Sequence, residues 1–194
     1  INIDIMSGLP GQTIHTYVDT LSRVIEFGPE HISAYSLSIE EGTPFAKDPQ
    51  ILSELPPEMV DRRMYEITKQ LLAAHGYDRY EFSNYAKPGK ECRHNLGYWD
   101  RVEYLGIGAG SSSLIKGERF DHIRDRKAYI EKIRNGESIL IDRELLSVES
   151  QMEEFMYLGL RKVEGVSRTD FQNYFGKNVD DVYGKILDKL RQFI

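Results

Sequence analysis

The chain has 194 residues, 40% of them apolar and 11% aromatic, enough for one large domain or one domain with a small appendage. Its net charge of −6, mixed along the chain, disfavours nucleic-acid binding, and no apolar run nears the roughly 18 residues of a membrane-spanning helix. The single cysteine, Cys92, excludes an internal disulfide and any three- or four-cysteine metal site made by this chain alone.

In chain order, Ile1, Ile3 and Ile5 alternate with Asn2, Asp4 and Met6 as in a strand, and Gly8-Leu9-Pro10-Gly11 ends it. Thr13 offers an N-cap to a helix with Ile14, Tyr17, Val18, Leu21, Val24 and Ile25 on one face, closed by Gly28-Pro29. A second strand follows at His31 to Leu37, so the spacing is that of a βαβ unit with parallel strands. A turn at Glu41-Gly42-Thr43-Pro44 leads to a helix over Pro57 to His75, with a stripe of Val60, Met64, Ile67, Leu71 and Ala74. Tyr77 to Phe82 reads as a third strand. The fold class is therefore α/β, with helices packed on one side of a parallel sheet that is open or curled into a barrel.

Asn84 to Asp100 holds no period and reads as a long aromatic-rich loop, of the kind more often functional than connecting. Tyr104 to Ile107 resumes as a strand running into Gly108-Ala109-Gly110-Ser111-Ser112-Ser113, followed by a short β segment at Arg119 to Ile123 and a helix over Lys127 to Arg134. Three short helices then begin at Ser147, Ser167 and Asn178, the second closed by Gly176. They resemble a winged-helix-type appendage with its wing beyond Ile194. The expected domains are residues 1–143 and 144–194. Ile1 lies directly in a strand pattern, and Leu190 to Ile194 stop inside a helical one, so an excised segment is expected.

Three constellations are candidates for chemistry. Asp4, expected at the C-terminal end of a parallel strand and so toward a ligand-binding loop face, can accept from a ribose hydroxyl or an amino group, or can cap the amides of Gln12 and Thr13. Gly106, Gly108 and Gly110 allow close approach of a ligand or simply make a tight turn; Ser111 breaks any dinucleotide fingerprint. Cys92 and His94 supply at most two metal ligands, and residues two apart seldom pair as nucleophile and base. The segment His94, Asn95, Tyr98 and Trp99 suits a large flat aromatic ligand or an axial metal bond from His94, or equally a hydrophobic plug with a hydrogen-bonded histidine. His15, His31, His75 and His122 share no spacing and read as structural or surface residues.

Six motifs in order carry a resemblance. They are Asn2-Ile3-Asp4-Ile5-Met6 with Gly8-Leu9-Pro10-Gly11-Gln12-Thr13, Gly28 to Leu37, Glu41 to Phe45, Tyr80 to Ala86, His94-Asn95-x-x-Tyr98-Trp99, and Tyr104 to Gly110. Together they resemble the oxygen-independent coproporphyrinogen III oxidase-like radical S-adenosylmethionine family, over nearly the whole chain. The resemblance implies the later strands of a partial radical S-adenosylmethionine barrel followed by the family's helical C-terminal domain, with the C-x-x-x-C-x-x-C cluster motif upstream of Ile1. It implies that the parent protein holds S-adenosylmethionine and a 4Fe-4S cluster, that the reduced cluster cleaves S-adenosylmethionine to a deoxyadenosyl radical, and that this segment alone is not an active enzyme.

By the same resemblance, Asp4, Ser38 and Ser112 fall at S-adenosylmethionine contacts, although the haem-chaperone branch commonly has histidine where Ser112 stands. His94, Asn95, Tyr98 and Trp99 fit that branch's haem-associated signature, while Gly8, Pro10, Gly11, Gln12, Gly106, Gly108 and Gly110 shape the loops. The implied function is a haem chaperone that binds haem or porphyrin and delivers it to a respiratory haem protein. Oxidative decarboxylation of coproporphyrinogen III is the alternative, and a partner- or nucleic-acid-binding role for the three helices is a third. A cytoplasmic location and self-association through exposed sheet edges are further expectations.

Overall fold

The computed structural model describes residues 1–190 and residue 192. It divides into two compact units, residues 1–93 and 94–194. In the first, β1 (Asn2–Ser7), α1 (Ile14–Glu26) and β2 (His31–Ser36) form the expected parallel βαβ unit, with Asp4 opposite Ser33 and Asn2 opposite His31. Strand alternation sends Ile5 and Ser7 inward and leaves Asn2, Asp4 and Met6 exposed on the other face.

Thr13 and Thr16 form a reciprocal capping box at the start of α1, so the helix begins where two backbone amides find partners. Tyr17, Leu21 and Val24 recur at i, i+4 and i+7 and are the face that α1 buries. They share a core with Ile5, Ile32, Met64, Leu72, Tyr77 and Tyr85.

Two short helices, α2 (Pro44–Lys47) and α3 (Pro49–Ser53), precede α4 (Glu58–Ala74). The buried stripe of α4 is Met64, Thr68 and Leu72, rotated from the expected one; Ala74 is exposed and Ile67 only half-buried. Thr68 replaces an apolar residue at the centre because its hydroxyl donates to the Met64 carbonyl at 2.8 Å and accepts from the Tyr17 phenol at 2.6 Å. This buried pair ties α1 to α4.

The third strand departs from expectation. Only Asp78–Arg79 (β3) is extended before a turn, and Asn84–Ala86 (β4) then inserts beside β2, giving the order β1-β2-β4-β3. Both β2–β4 and β4–β3 are antiparallel, so the sheet is mixed beyond its first pair. With no crossover helix between β3 and β4, the connection is long enough only for a hairpin.

In the second unit, α5 (Arg93–Trp99) leads to β5 (Ser112–Ile115), β6 (Glu118–His122), α6 (Arg126–Asn135) and β7 (Leu140–Leu145). The three strands form an antiparallel sheet in chain order. Lys116 and Gly117, with φ of 52° and 74°, make the two-residue turn that joins β5 to β6. The expected strand at Tyr104 to Ile107 is absent; only Tyr104 bridges to Leu114. Gly106 passes so close to β5 that a Cβ there would lie 2.2 Å from the Ser112 carbonyl oxygen, which is why this glycine marks an approach of two backbones.

The last three helices are α7 (Val148–Gly159), α8 (Arg168–Phe175) and α9 (Val179–Leu190). Ser147 and Ser167 cap the first two as expected, and Gly176 closes α8 in the left-handed conformation. Met152, Phe171 and Val179 form their core, with Phe155 and Phe175 edge-on to Phe171 or tilted against it. The helical pattern expected to continue to Ile194 lies, at positions 191, 193 and 194, outside the described residues.

Leu21 is fully buried in the first unit. Leu21→Ala is expected to cost about 2–5 kcal/mol of stability, through lost transfer energy and the cavity left behind, measurable as a lowered urea midpoint for that unit.

Candidate functional site

Asp4 sits in the middle of β1, not at its end. Its carboxylate accepts the Asn2 side-chain amide at 2.7 Å and is otherwise presented on the exposed face of the sheet with Asn2, Met6 and Tyr35. The capping alternative does not hold: the Gln12 amide donates to the Leu9 carbonyl at 2.9 Å and the Thr13 amide to the Thr16 hydroxyl at 3.0 Å. Beside Asp4 on the same face, Ser33 stands opposite it and His31 opposite Asn2, both buried, and Glu81 is buried as well. His31, read from sequence as structural or surface, contacts Asn2 at 2.7 Å through Nδ1 and the Tyr80 phenol at 2.8 Å through Nε2. Burial pushes the His31 imidazole below its ordinary pKa, against the opposing pull of Glu81 and Asp4.

The C-terminal ends of β1 and β2 are held by a residue that no motif marked. Asp61 of α4 accepts from Ser7 at 2.8 Å and also from Ser36. Gly8 turns beside it with φ of 75°, where a Cβ would lie 3.2 Å from the Asp61 carboxylate. Pro10, Gly11 and Gln12 continue the turn, with the Gly11 amide donating to Glu54 at 2.8 Å. Ser38 is exposed two residues beyond β2.

The segment expected as a loop around His94 is the helix α5. Helical spacing sets His94 and Tyr98 on one face, ring centroids 4.8 Å apart and edge-on, and Tyr104 continues the row at 4.9 Å from Tyr98. His94 is exposed and Tyr98 is 39% exposed. Burial pushes the Tyr104 phenol up, so it stays neutral at neutral pH. Asn95 is half-buried. Trp99 lies elsewhere on the helix, with the Arg161 guanidinium 5.1 Å from its ring centre, and lines a cavity of about 440 Å³ with Phe155, Lys162 and Tyr174.

Just after α5, Arg101 takes a left-handed backbone with φ of 54° and is 6% exposed. Its Nε donates to Glu154 of α7 at 3.0 Å, and Arg119 of β6 donates to the other carboxylate oxygen at 2.7 Å. The paired acid thereby fixes where α5 stops and the Tyr104 segment begins.

Ser112 is exposed at the start of β5. Its neighbours are structural: Ser111 and His122 contact each other at 2.8 Å beside the Gly108 carbonyl, and Ser113 accepts the Gly106 amide at 3.0 Å. Gly108 and Gly110 both have positive φ, of 105° and 74°. Among the described residues no group of three or more His, Cys, Asp or Glu side chains could hold a metal ion, so the residues of this chain do not fit a 4Fe-4S cluster. No helix of the described residues is long and apolar enough to cross a membrane.

Residues 146–194 match the HemN C-terminal domain family. The chain is 38% identical to a haem chaperone HemW of Bacillus subtilis (strain 168) over 99% of its own length and 51% of that protein. It is 34% identical to a haem chaperone HemW of Escherichia coli (strain K12), over 97% of this chain and 49% of that one. The chain thus spans about half the length of the curated relatives it matches. Among solved structures, coproporphyrinogen III oxidase (HemN) from Escherichia coli, described as a radical SAM enzyme, has the same fold with a TM-score of 0.81 at 20% identity, covering 99% of this chain and 47% of that one.

Two outcomes are expected. Glu154→Ala leaves Arg101 buried without its counter-charge and should cost about 3–5 kcal/mol, seen as a lowered melting temperature of the second unit. For His31 the fold favours the neutral imidazole. The stability this gives is complete above the unfolded value of 6.5 and is lost as pH falls below it toward the lower folded value. The urea midpoint should therefore drop more between pH 7.5 and 5.5 in the wild type than in His31→Gln.

Proposed function

Because this chain belongs to the oxygen-independent coproporphyrinogen III oxidase-like family, we propose that it serves a haem chaperone, binding haem on the α5 face and S-adenosylmethionine on the face that bears Asp4. The row His94–Tyr98–Tyr104 carries the reading. An exposed imidazole fits the axial position of a haem iron, and the edge-on phenol rings beside it suit the rim of a flat macrocycle. Exposed Leu105 and Ile107 continue the apolar surface in the same unit. The names of the relatives support haem as cargo.

For S-adenosylmethionine, the residues of the Asp4 face fit the group. An exposed carboxylate held by Asn2 can accept from a ribose hydroxyl or an ammonium, with Met6 and Tyr35 supplying apolar contact, and Ser38 would hold polar atoms beyond the strand ends. Bound next to a reduced cluster that donates one electron, S-adenosylmethionine would supply a deoxyadenosyl radical, with methionine as the other fragment. The chain's own part is to bind and orient. The division at residues 143 and 144 belongs to this proposal, supported by the family match that begins at residue 146. Delivery to a respiratory haem protein, a cytoplasmic location and self-association at the open edge of β1 complete the reading.

Ferric haem titrated into the full chain should give a Soret band with the position of a histidine-ligated species. His94→Ala should lose that position and weaken binding at least about tenfold, as expected when a bond worth more than about 1.4 kcal/mol is removed. Identical spectra and affinity in the two proteins would remove His94 from the site.

A further inference from the structure

Asp4 stands at one end of a hydrogen-bonded chain whose donor and acceptor roles can be assigned throughout. A carboxylate only accepts, so the Asn2 amide nitrogen, 2.7 Å away, must be the atom that faces it. That orientation turns the Asn2 carbonyl oxygen toward His31 Nδ1, also at 2.7 Å, and an oxygen there requires Nδ1 to carry the proton. In a neutral imidazole Nε2 then has a lone pair, which accepts the Tyr80 hydroxyl at 2.8 Å. The phenol oxygen in turn accepts the backbone amide of Cys92 at 3.3 Å. Ser33, directly opposite Asp4 across the strand pair, lies 3.2 Å from the Asn2 amide nitrogen and 3.3 Å from its carbonyl oxygen, and so fixes the Asn2 rotamer from the side.

Every bond in this series points the same way, from a backbone amide to a carboxylate. The setting makes the direction matter. His31 and Ser33 are buried, whereas Asp4 is exposed, so the series carries order from the protein interior to a side chain that would otherwise rotate freely in solvent. Burial also disfavours a charged imidazole, which preserves the lone pair that Tyr80 needs.

We infer that His31 and Tyr80 are positioning residues for Asp4, acting through Asn2 to hold its carboxylate in the one orientation that receives the ligand. This rests on the reading of Asp4 as an S-adenosylmethionine contact. Neither residue touches the ligand itself. Their contribution is the preorganisation of a group that does.

The test uses the full chain labelled with nitrogen-15 at histidine. Long-range proton–nitrogen spectra should show His31 as the Nδ1–H tautomer in the wild type. Tyr80→Phe, which keeps the ring and removes only the hydroxyl, should release it to a mixture with Nε2–H. S-adenosylmethionine binding, followed by calorimetry on the same proteins, should weaken about threefold to tenfold in Tyr80→Phe and His31→Leu, the range of one hydrogen bond's net worth. His31→Gln, whose amide both donates and accepts, should recover most of the loss, and Asp4→Asn should weaken binding further.

An Nε2–H tautomer in the wild type overturns the inference. So does wild-type affinity in both Tyr80→Phe and His31→Leu when Asp4→Asn is weakened. Wild-type affinity in Asp4→Asn instead refutes the ligand reading of Asp4, and the tautomer spectra then decide the relay alone.

Discussion

The paired carboxylate of Glu154 is the contact on which the second unit is organised. It comes from α7, lies almost wholly buried, and receives one guanidinium from Arg101, just after α5, and another from Arg119 of β6. A buried ion is tolerable only when its partners are in place, so this acid ties three elements to one geometry. Arg101 adopts a left-handed backbone at that point, a conformation that costs a side-chain-bearing residue energy and that persists because the ion pair holds it. The consequence reaches the surface. The chain turns at Arg101 and returns with Tyr104 beside Tyr98, which completes the aromatic row that starts at His94.

In the first unit the comparable device is lighter. Asp61 accepts hydroxyl groups from Ser7 and Ser36, at the two parallel strand ends, while the Tyr17–Thr68 pair ties the helices together behind the sheet. Asp4 stands on the opposite face of β1 from Ile5 and Ser7, the residues that this packing buries. The two units therefore divide the proposed labour in chemical terms: a carboxylate held by an amide in one, an imidazole flanked by phenols in the other. Cluster chemistry lies with neither, since Cys92 is the single cysteine in the sequence.

Much of this was legible in the sequence where the signal is local. Thr13, Ser147 and Ser167 cap helices within three residues of their partners, and Gly176 stops one by its own backbone preference, so the helices fall where the pattern puts them. The six ordered motifs likewise identified the family. The parts that escaped depend on distant partners. Ser7 meets Asp61 across 54 positions, Arg101 meets Glu154 across 53, and His31 meets Tyr80 across 49, and nothing near either residue of a pair announces the other. Gly97 and the aromatic residues weaken the helical pattern of α5, so the sequence alone suggests a loop there; β4 and β5 are too short, at three and four residues, for alternation to show. His31 looked unremarkable for the same reason, as its neighbours in space are a strand partner and a phenol from a later hairpin.

The central claim is that the α5 face, organised by Glu154, is where a haem-type macrocycle rests. The most direct measurement is a chemical-shift map of the full chain on addition of zinc protoporphyrin, whose ring current marks the residues that lie against it. The account predicts the largest shifts at His94, Tyr98 and Tyr104 and their immediate neighbours. Largest shifts at the Asp4 face or along α9, with the His94 row unmoved, would contradict it.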